Sequence, residues 1–352
     1  MEYLFEYGMF LAKTATIVMA IAAVLTLMMA AGQRRRHMPK GSITITHLNR
    51  DLDALKDAMQ RAVLDKFALK KYLKLEKKRE KEEGKQRKNA SGEQADSDEA
   101  RKKRVYVLDF DGDMEASELE SLRQEITAVL TMAEPADEVI LRLESPGGMV
   151  HAYGLASAQL LRFRERDIPL TICVDKVAAS GGYMMACVAD RLIAAPFAIL
   201  GSIGVLVQMP NIHRLLKKND VDYEMVTAGE YKRTMTPFTE VTEKGRDKVK
   251  QEVEDMHVIF KQWVKENRPV VDIDQISTGE TWLGLQAQPL NMIDAISTSD
   301  DCIVQACEDA DVYEVSYEIR VPIGERIGSV VYKTLDKTLM SWWQRLRTSK
   351  YY

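Results

Sequence analysis

From residue 104 onward, short runs of β-branched and apolar residues alternate with longer stretches whose apolar residues return every three or four positions. That alternation limits the fold more than any other feature. Strand, helix, strand in succession builds a largely parallel sheet with helices packed on it, an α/β fold. Strands are predicted at 104–110 (RVYVLDF), 139–144 (VILRLE), 170–175 (LTICVD), 192–195, 204–207 and 222–227. Helices are predicted at 116–132, where Leu119, Leu122, Ile126 and Val129 share a face, and at 151–164, 180–188 and 240–267. The apolar region 183–207 contains Asp190, Arg191 and Pro196 and continues this alternation, so it is read as buried core and not as a membrane span.

A different apolar run, 9–32, stands near the N-terminus. As a helix it reaches roughly 35 Å, enough to cross a hydrocarbon core of about 30 Å. A cleaved signal peptide fits less well, because Glu2 and Glu6 precede the run and Arg34, Arg35 and Arg36 follow it. The prediction is a single-pass anchor over 1–36. One long helix is then predicted from about His47 to Lys88, with Leu48, Leu52, Leu55, Met59 and Val63 at helical spacing. Residues 61–104 hold 16 Lys/Arg against 9 Asp/Glu. Its proximal part stands open between a lipid-facing basic surface and a solvated helix; the stretch 84–104 reads as a linker. The expected organisation is an anchor (1–36), a charged helix and linker (37–103), a catalytic domain (104–300) and a C-terminal extension (301–352).

The net charge of −4 over 352 residues argues against a nucleic-acid partner. Cys173, Cys187, Cys302 and Cys307 form no CxxC pair, and the five histidines form no HExxH motif, so no metal is expected. Three glycine-bearing segments adjoin predicted strands: Glu144-Ser145-Pro146-Gly147-Gly148, Ala178-Ala179-Ser180-Gly181-Gly182-Tyr183 and Gly201-Ser202-Ile203-Gly204. Such turns let backbone N–H groups converge on a ligand. Neither GxxxxGK[ST] nor a suitably placed GxGxxG is present, so nucleotide binding is not expected. Ser180 sits where a loop enters a helix, as a nucleophile often does, although a helix-cap serine is far commoner at such a position. His151 is the nearest histidine and fits the surface of the following helix. Lys232 lies 52 residues beyond Ser180, in the loop-like Glu230–Phe238 segment. A lysine there is ordinarily a solvated charge, and any lysine acting as a base must first be made neutral by burial, at about 4–5 kcal/mol.

SPGG after a strand, AASGGY, GSIGV and YKR, in this order, resemble the signal peptide peptidase A family of Ser–Lys serine peptidases, over roughly residues 104–300. The segment from Gly279-Glu280-Thr281-Trp282 to Asn291-Met292-Ile293-Asp294 is also similar to that family's late signature, with Asn291 where glycine is usual. Glu144 stands where asparagine is common, which makes the rim more acidic. The resemblance implies a ClpP/crotonase-like domain of repeated β-β-α units. It implies Ser180 as nucleophile, Lys232 as general base, the N–H groups of Gly148 and Gly181 as the oxyanion hole, Gly147 as the residue shaping the turn, and Ser202 as the group orienting the lysine. It implies no cofactor, peptide or protein substrates of hydrophobic character, an inner-membrane setting in a bacterial cell, and a homo-oligomer whose Ser and Lys can come from neighbouring protomers.

Two other classes compete: a catalytically silent scaffold on the same fold, and a crotonase-type acyl-CoA enzyme, which leaves YKR without a purpose. The side of the membrane stays open. The arginines after the apolar run place the domain in the cytoplasm, whereas the resemblance favours the periplasm. At the other end, Leu335, Leu339, Trp342 and Leu346 share one helical face beside Arg345, Arg347 and Lys350. That face suits a membrane interface or a protein neighbour equally.

Overall fold

In the computed structural model the described residues are 13–16, 19, 41–75, 78, 81–82 and 102–318. The predicted span at 9–32 (save residues 13–16 and 19, which are helical), most of the linker and the C-terminal helix lie outside them. Among the described residues no helix is long and apolar enough to cross a membrane. Ile43–Tyr317 is one compact unit.

The elements run β1 (Ser42–His47), α1 (Leu48–Val63), β2 (Arg104–Asp111), α2 (Leu119–Leu130), β3 (Glu138–Glu144), α3 (Val150–Arg164), β4 (Leu170–Val174) and β5 (Val177–Ala179). Then follow α4 (Gly181–Ala186), β6 (Arg191–Ala194), β7 (Ile199–Gly201), α5 (His213–Lys218), α6 (Glu243–Asn267) and α7 (Ile273–Ile276). The last are β8 (Thr281–Leu283), α8 (Gly284–Ala287), β9 (Ala295–Ile296), α9 (Ser299–Asp309) and β10 (Asp311–Glu318). This is a mixed α/β fold. Its main sheet has seven strands in the order β1-β10-β2-β3-β4-β6-β9, and every pairing from β10 to β9 is parallel. A second sheet has the order β5-β7-β8, and Ser145 bridges to Ala178 at its edge. Consecutive strands thus alternate between sheets: β4 then β5, β6 then β7.

The pleat explains the core. Tyr106, Leu108 and Phe110 of β2, with Leu141, Leu143, Ile172 and Val174, face the larger cluster, which α2 and α3 cover with Leu122, Ile126, Tyr153, Leu160 and Phe163. Val105 and Val107, with Ile140, Cys173 and Ile193, face the opposite way, toward Ile303 of α9. Strands buried on both faces read as near-continuous apolar runs, which is why they are legible in the sequence. Truncating one such residue, as in Leu141→Ala, costs about 2–5 kcal/mol.

Three predictions need correction. The segments at 204–207 and 222–227 form no strand; Leu206, Val207 and Val226 are 74%, 62% and 99% exposed. Their β-branched composition finds no sheet edge in this unit, and an unpaired strand has no reason to persist. The long helix predicted from 47 to 88 begins one residue later and is broken after Val63. Asp65 ends it, because its Oδ1 accepts the N–H groups of Phe67 and Ala68 at 2.8 Å and so caps a second helical stretch. The strand β1 in front of it was not foreseen.

Candidate active site

Ser180 joins β5 of the second sheet to α4, with φ 52° and ψ −118°. A non-glycine residue held there stores about 1–3 kcal/mol of strain, which surrounding bonds must overcome. The Ser180 N–H donates to the Gly201 carbonyl at 2.7 Å, and its own carbonyl accepts from Met184 N–H at 3.0 Å. Both bonds fix the backbone and leave the side chain out of the helix-capping role, since Ser180 makes no side-chain cap.

The Pro146-Gly147-Gly148 turn lies directly against it. Gly147 has φ +87°, and a Cβ added there would stand 2.7 Å from both Ser180 Cβ and Gly181 N. A Cβ on Gly148 would collide with the Met114 carbonyl. Only glycines let this turn close on the serine. A buried relay supports it: Ser145 Oγ bonds Tyr153 OH at 2.6 Å and accepts the Gly147 N–H at 3.0 Å, while Tyr153 OH donates to the Asp113 carbonyl at 2.7 Å. Burial pushes the Tyr153 phenol above its ordinary value, so it remains a donor.

A cavity of about 870 Å³ opens on this point. Gly147, Gly148, Ser180, Gly181 and Ser202 line it, so five of the six residues singled out from the sequence meet in one place. Ser202 (φ 51°) donates its N–H to the Glu280 carbonyl at 2.6 Å, which ties the late signature to the site. Much of the remaining wall is apolar, with Met114, Met149, Met184, Met256, Phe260 and Trp263. Trp263 is set by its Nε1–H, which donates to the Met184 carbonyl at 3.1 Å. These wall residues, with Tyr153 and Ser145, were missed from the sequence; Met256, Phe260 and Trp263 at steps of four and three on α6 were the available signal. His151 is exposed at the cavity's edge. Glu144 is offset by Lys176, whose Nζ donates to it at 2.8 Å, so the rim is less acidic than expected.

Lys232 is elsewhere. It is exposed and does not line the cavity. Its segment is pinned to the start of α6: Lys244 pairs with Glu230, and Lys244 and Lys248 lie 5.8 and 5.5 Å from the Tyr231 ring. Lys244 and the cavity residue Phe260 are 16 residues apart on that helix, or about 24 Å. The Lys232 segment is thus held at the first turns of α6, whereas the cavity is lined by Met256, Ile259, Phe260 and Trp263 from its later half. Among the described residues no group of three side chains could hold a metal ion.

A glycine-shaped turn, a strained serine and a largely apolar cavity thus meet at one point. The sequence matches Peptidase family S49 N-terminal over residues 2–160 and Peptidase family S49 over residues 162–313. The chain belongs to peptidase family S49. It is 47% identical to "Probable protease SohB" of Haemophilus influenzae, over 93% of this chain and 92% of that protein. It is 44% identical to "Probable protease SohB" of Buchnera aphidicola subsp. Schizaphis graminum, over 86% of each. "Putative protease SohB" of Buchnera aphidicola subsp. Baizongia pistaciae is 38% identical, over 96% of this chain and its own full length.

Proposed function

We propose that this chain is a membrane-anchored serine endopeptidase, built on a ClpP/crotonase-like domain, that cleaves hydrophobic or membrane-derived peptides through a Ser–Lys dyad. The observation that carries this reading is the strained Ser180 at the mouth of the apolar cavity, with Gly148 and Gly181 beside it. Neutral Lys232 removes the Ser180 proton, and Ser180 Oγ attacks the peptide carbonyl. The oxyanion is held by the Gly148 and Gly181 N–H groups, each worth about 2.7–4 kcal/mol of barrier. The lysine then protonates the leaving amine, and water activated by the same lysine releases the acyl-enzyme. Ser202 holds the lysine amine in place. The methionine, phenylalanine and tryptophan walls favour apolar side chains in the substrate.

The hold on the Lys232 segment at the first turns of α6, away from the later half that lines the cavity, supports a dyad assembled between copies. Lys232 reaches the Ser180 of a neighbour in a homo-oligomer, and the same contact strips it of water and allows it to lose its proton. Exposed Leu206, Val207, Tyr223, Val226 and Tyr231 on the flanking segments are apolar surface for that contact. The run 9–32 anchors the particle in a bacterial inner membrane; no nucleic acid, metal or cofactor takes part.

Cleavage of a hydrophobic peptide library, with labelling by a serine-directed acylating probe, tests the reading. Both are expected from the natural chain and neither from Ser180→Ala. A Ser180→Ala protein that still cleaves refutes the nucleophile, and a natural chain that neither cleaves nor takes the label is a scaffold.

A further inference from the structure

Strand β4 and helix α9 meet through two contacts in register. Asp175, one residue past β4, accepts from the Ser299 N–H at 2.8 Å and from the Ser299 hydroxyl, which fixes the first turn of α9. Two residues back on the same strand face and three forward on the helix stand Cys173 and Cys302. They face each other for the same reason that Asp175 faces Ser299. Cys173 is buried and Cys302 partly so, both within the core cluster of Val107, Ile140 and Ile303. Both are free, and each is the neighbour that most perturbs the other's thiol.

The two sulfurs are not equivalent. The neighbouring Cys302 thiol, together with burial, pushes the Cys173 thiol up, so it keeps its proton. The Cys173 thiol, joined by the Arg191 guanidinium, pulls the Cys302 thiol down. A thiolate with a thiol in contact is the arrangement that reactive dithiols use. Cys302 is only partly buried, so a small oxidant can reach its sulfur from solvent.

We infer that Cys173 and Cys302 are a redox pair that a hydroperoxide closes to an intrachain disulfide, locking α9 onto β4 behind the strand that leads to Ser180. Cys302 thiolate attacks the peroxide: an S–O bond forms, the O–O bond breaks, and hydroxide leaves to become water on taking a proton. Cys173 then loses its proton and attacks the Cys302 sulfur: the S–S bond forms, the S–O bond breaks, and water departs. Two thiols give up two electrons and the peroxide takes them. Because the two residues face each other across β4 and α9, side-chain rotations bring the sulfurs to the ~2.05 Å of a disulfide.

The test uses the full-length protein, reduced, freed of reductant and treated with hydrogen peroxide. It is then quenched in acid, alkylated under denaturing conditions and mapped by peptide mass. The four free thiols should fall to two, with one dithiothreitol-reversible cross-link between the Cys173 and Cys302 peptides. Cys307→Ser should keep that link, and Cys302→Ser should lose it and leave Cys173 reduced. Four surviving thiols, a link through Cys187 or Cys307, or Cys302 carried to sulfinic acid with Cys173 untouched would each overturn the inference. None of these readouts depends on peptidase activity.

Discussion

The N–H of Ser180 donates to the carbonyl of Gly201 at 2.7 Å, and through that bond two separate glycine-bearing segments become one site. Ser202 follows Gly201 directly, so the residue proposed to hold the lysine amine is placed by the same contact that fixes the proposed nucleophile. Under that proposal the lysine is delivered by a neighbouring copy.

Mixing chains tests that delivery. Ser180→Ala and Lys232→Ala proteins should each be inactive alone. Co-assembled in equal amounts around a head-to-tail ring, about one site in four pairs an intact serine with an intact lysine. Peptidase activity near a quarter of the natural level is therefore expected, and activity absent from every mixture would mean that each chain completes its own dyad.

Gly147→Ala should separate activity from gross folding. The added Cβ meets Ser180 Cβ and Gly181 N at 2.7 Å, at a φ of +87° that alanine resists. We expect about 1–3 kcal/mol of destabilisation in urea. Turnover should fall by about 100-fold or more, since the turn that positions the oxyanion donors must move. An alanine variant with natural turnover would dissociate the turn from catalysis.

Glu125 on α2 is buried, with one oxygen accepting the Tyr317 N–H at 2.7 Å and the other unmatched. Burial, joined by the nearby charges of Glu118 and Asp109, pushes its carboxyl up to about 7. A carboxyl raised in the folded state binds its proton more tightly there than in the unfolded chain. Its contribution is thus most favourable below about pH 4.5 and is lost as pH rises through about 7. Glu125→Gln keeps an acceptor for Tyr317 and removes the charge. It should stabilise the protein at pH 8 by of order 1–3 kcal/mol and have little effect at pH 5, measured by denaturant midpoints.

Asp294 behaves oppositely. Burial alone would raise its carboxyl, but the Arg268 guanidinium (2.8 and 3.2 Å) and the Leu192 N–H (2.6 Å) outweigh it and hold the group below its ordinary value. Stability from this pair is present above about pH 4 and is lost as pH falls through the lowered value. Asp294→Asn leaves the buried Arg268 without its counter-charge, at roughly 2–3 kcal/mol near neutral pH. The loss should shrink on acidification; an unchanged difference at pH 3 would contradict the ion pair.

Much of this was open to sequence reading. The parallel strands were legible because burial on both faces forces continuous apolar runs, and the glycine turns were legible because few other residues adopt their backbone angles. Ser180, Gly147, Gly148, Gly181 and Ser202 were singled out through the resemblance of their short motifs, and the structure brings all five to one cavity. Other features depend on partners distant in the chain. The segments 204–207 and 222–227 have strand composition, yet pairing is decided by where the chain is carried in three dimensions, and neither segment is laid along a strand of this unit. The cavity walls on α6, the Tyr153–Ser145 relay and the Cys173–Cys302 contact exist only because layers pack. Lys232 shows the limit most clearly. By residue type it reads as a solvated charge and only the resemblance implied a base; whether a lysine is charged depends on the water around it, and that is set by which surfaces fold or assemble over it.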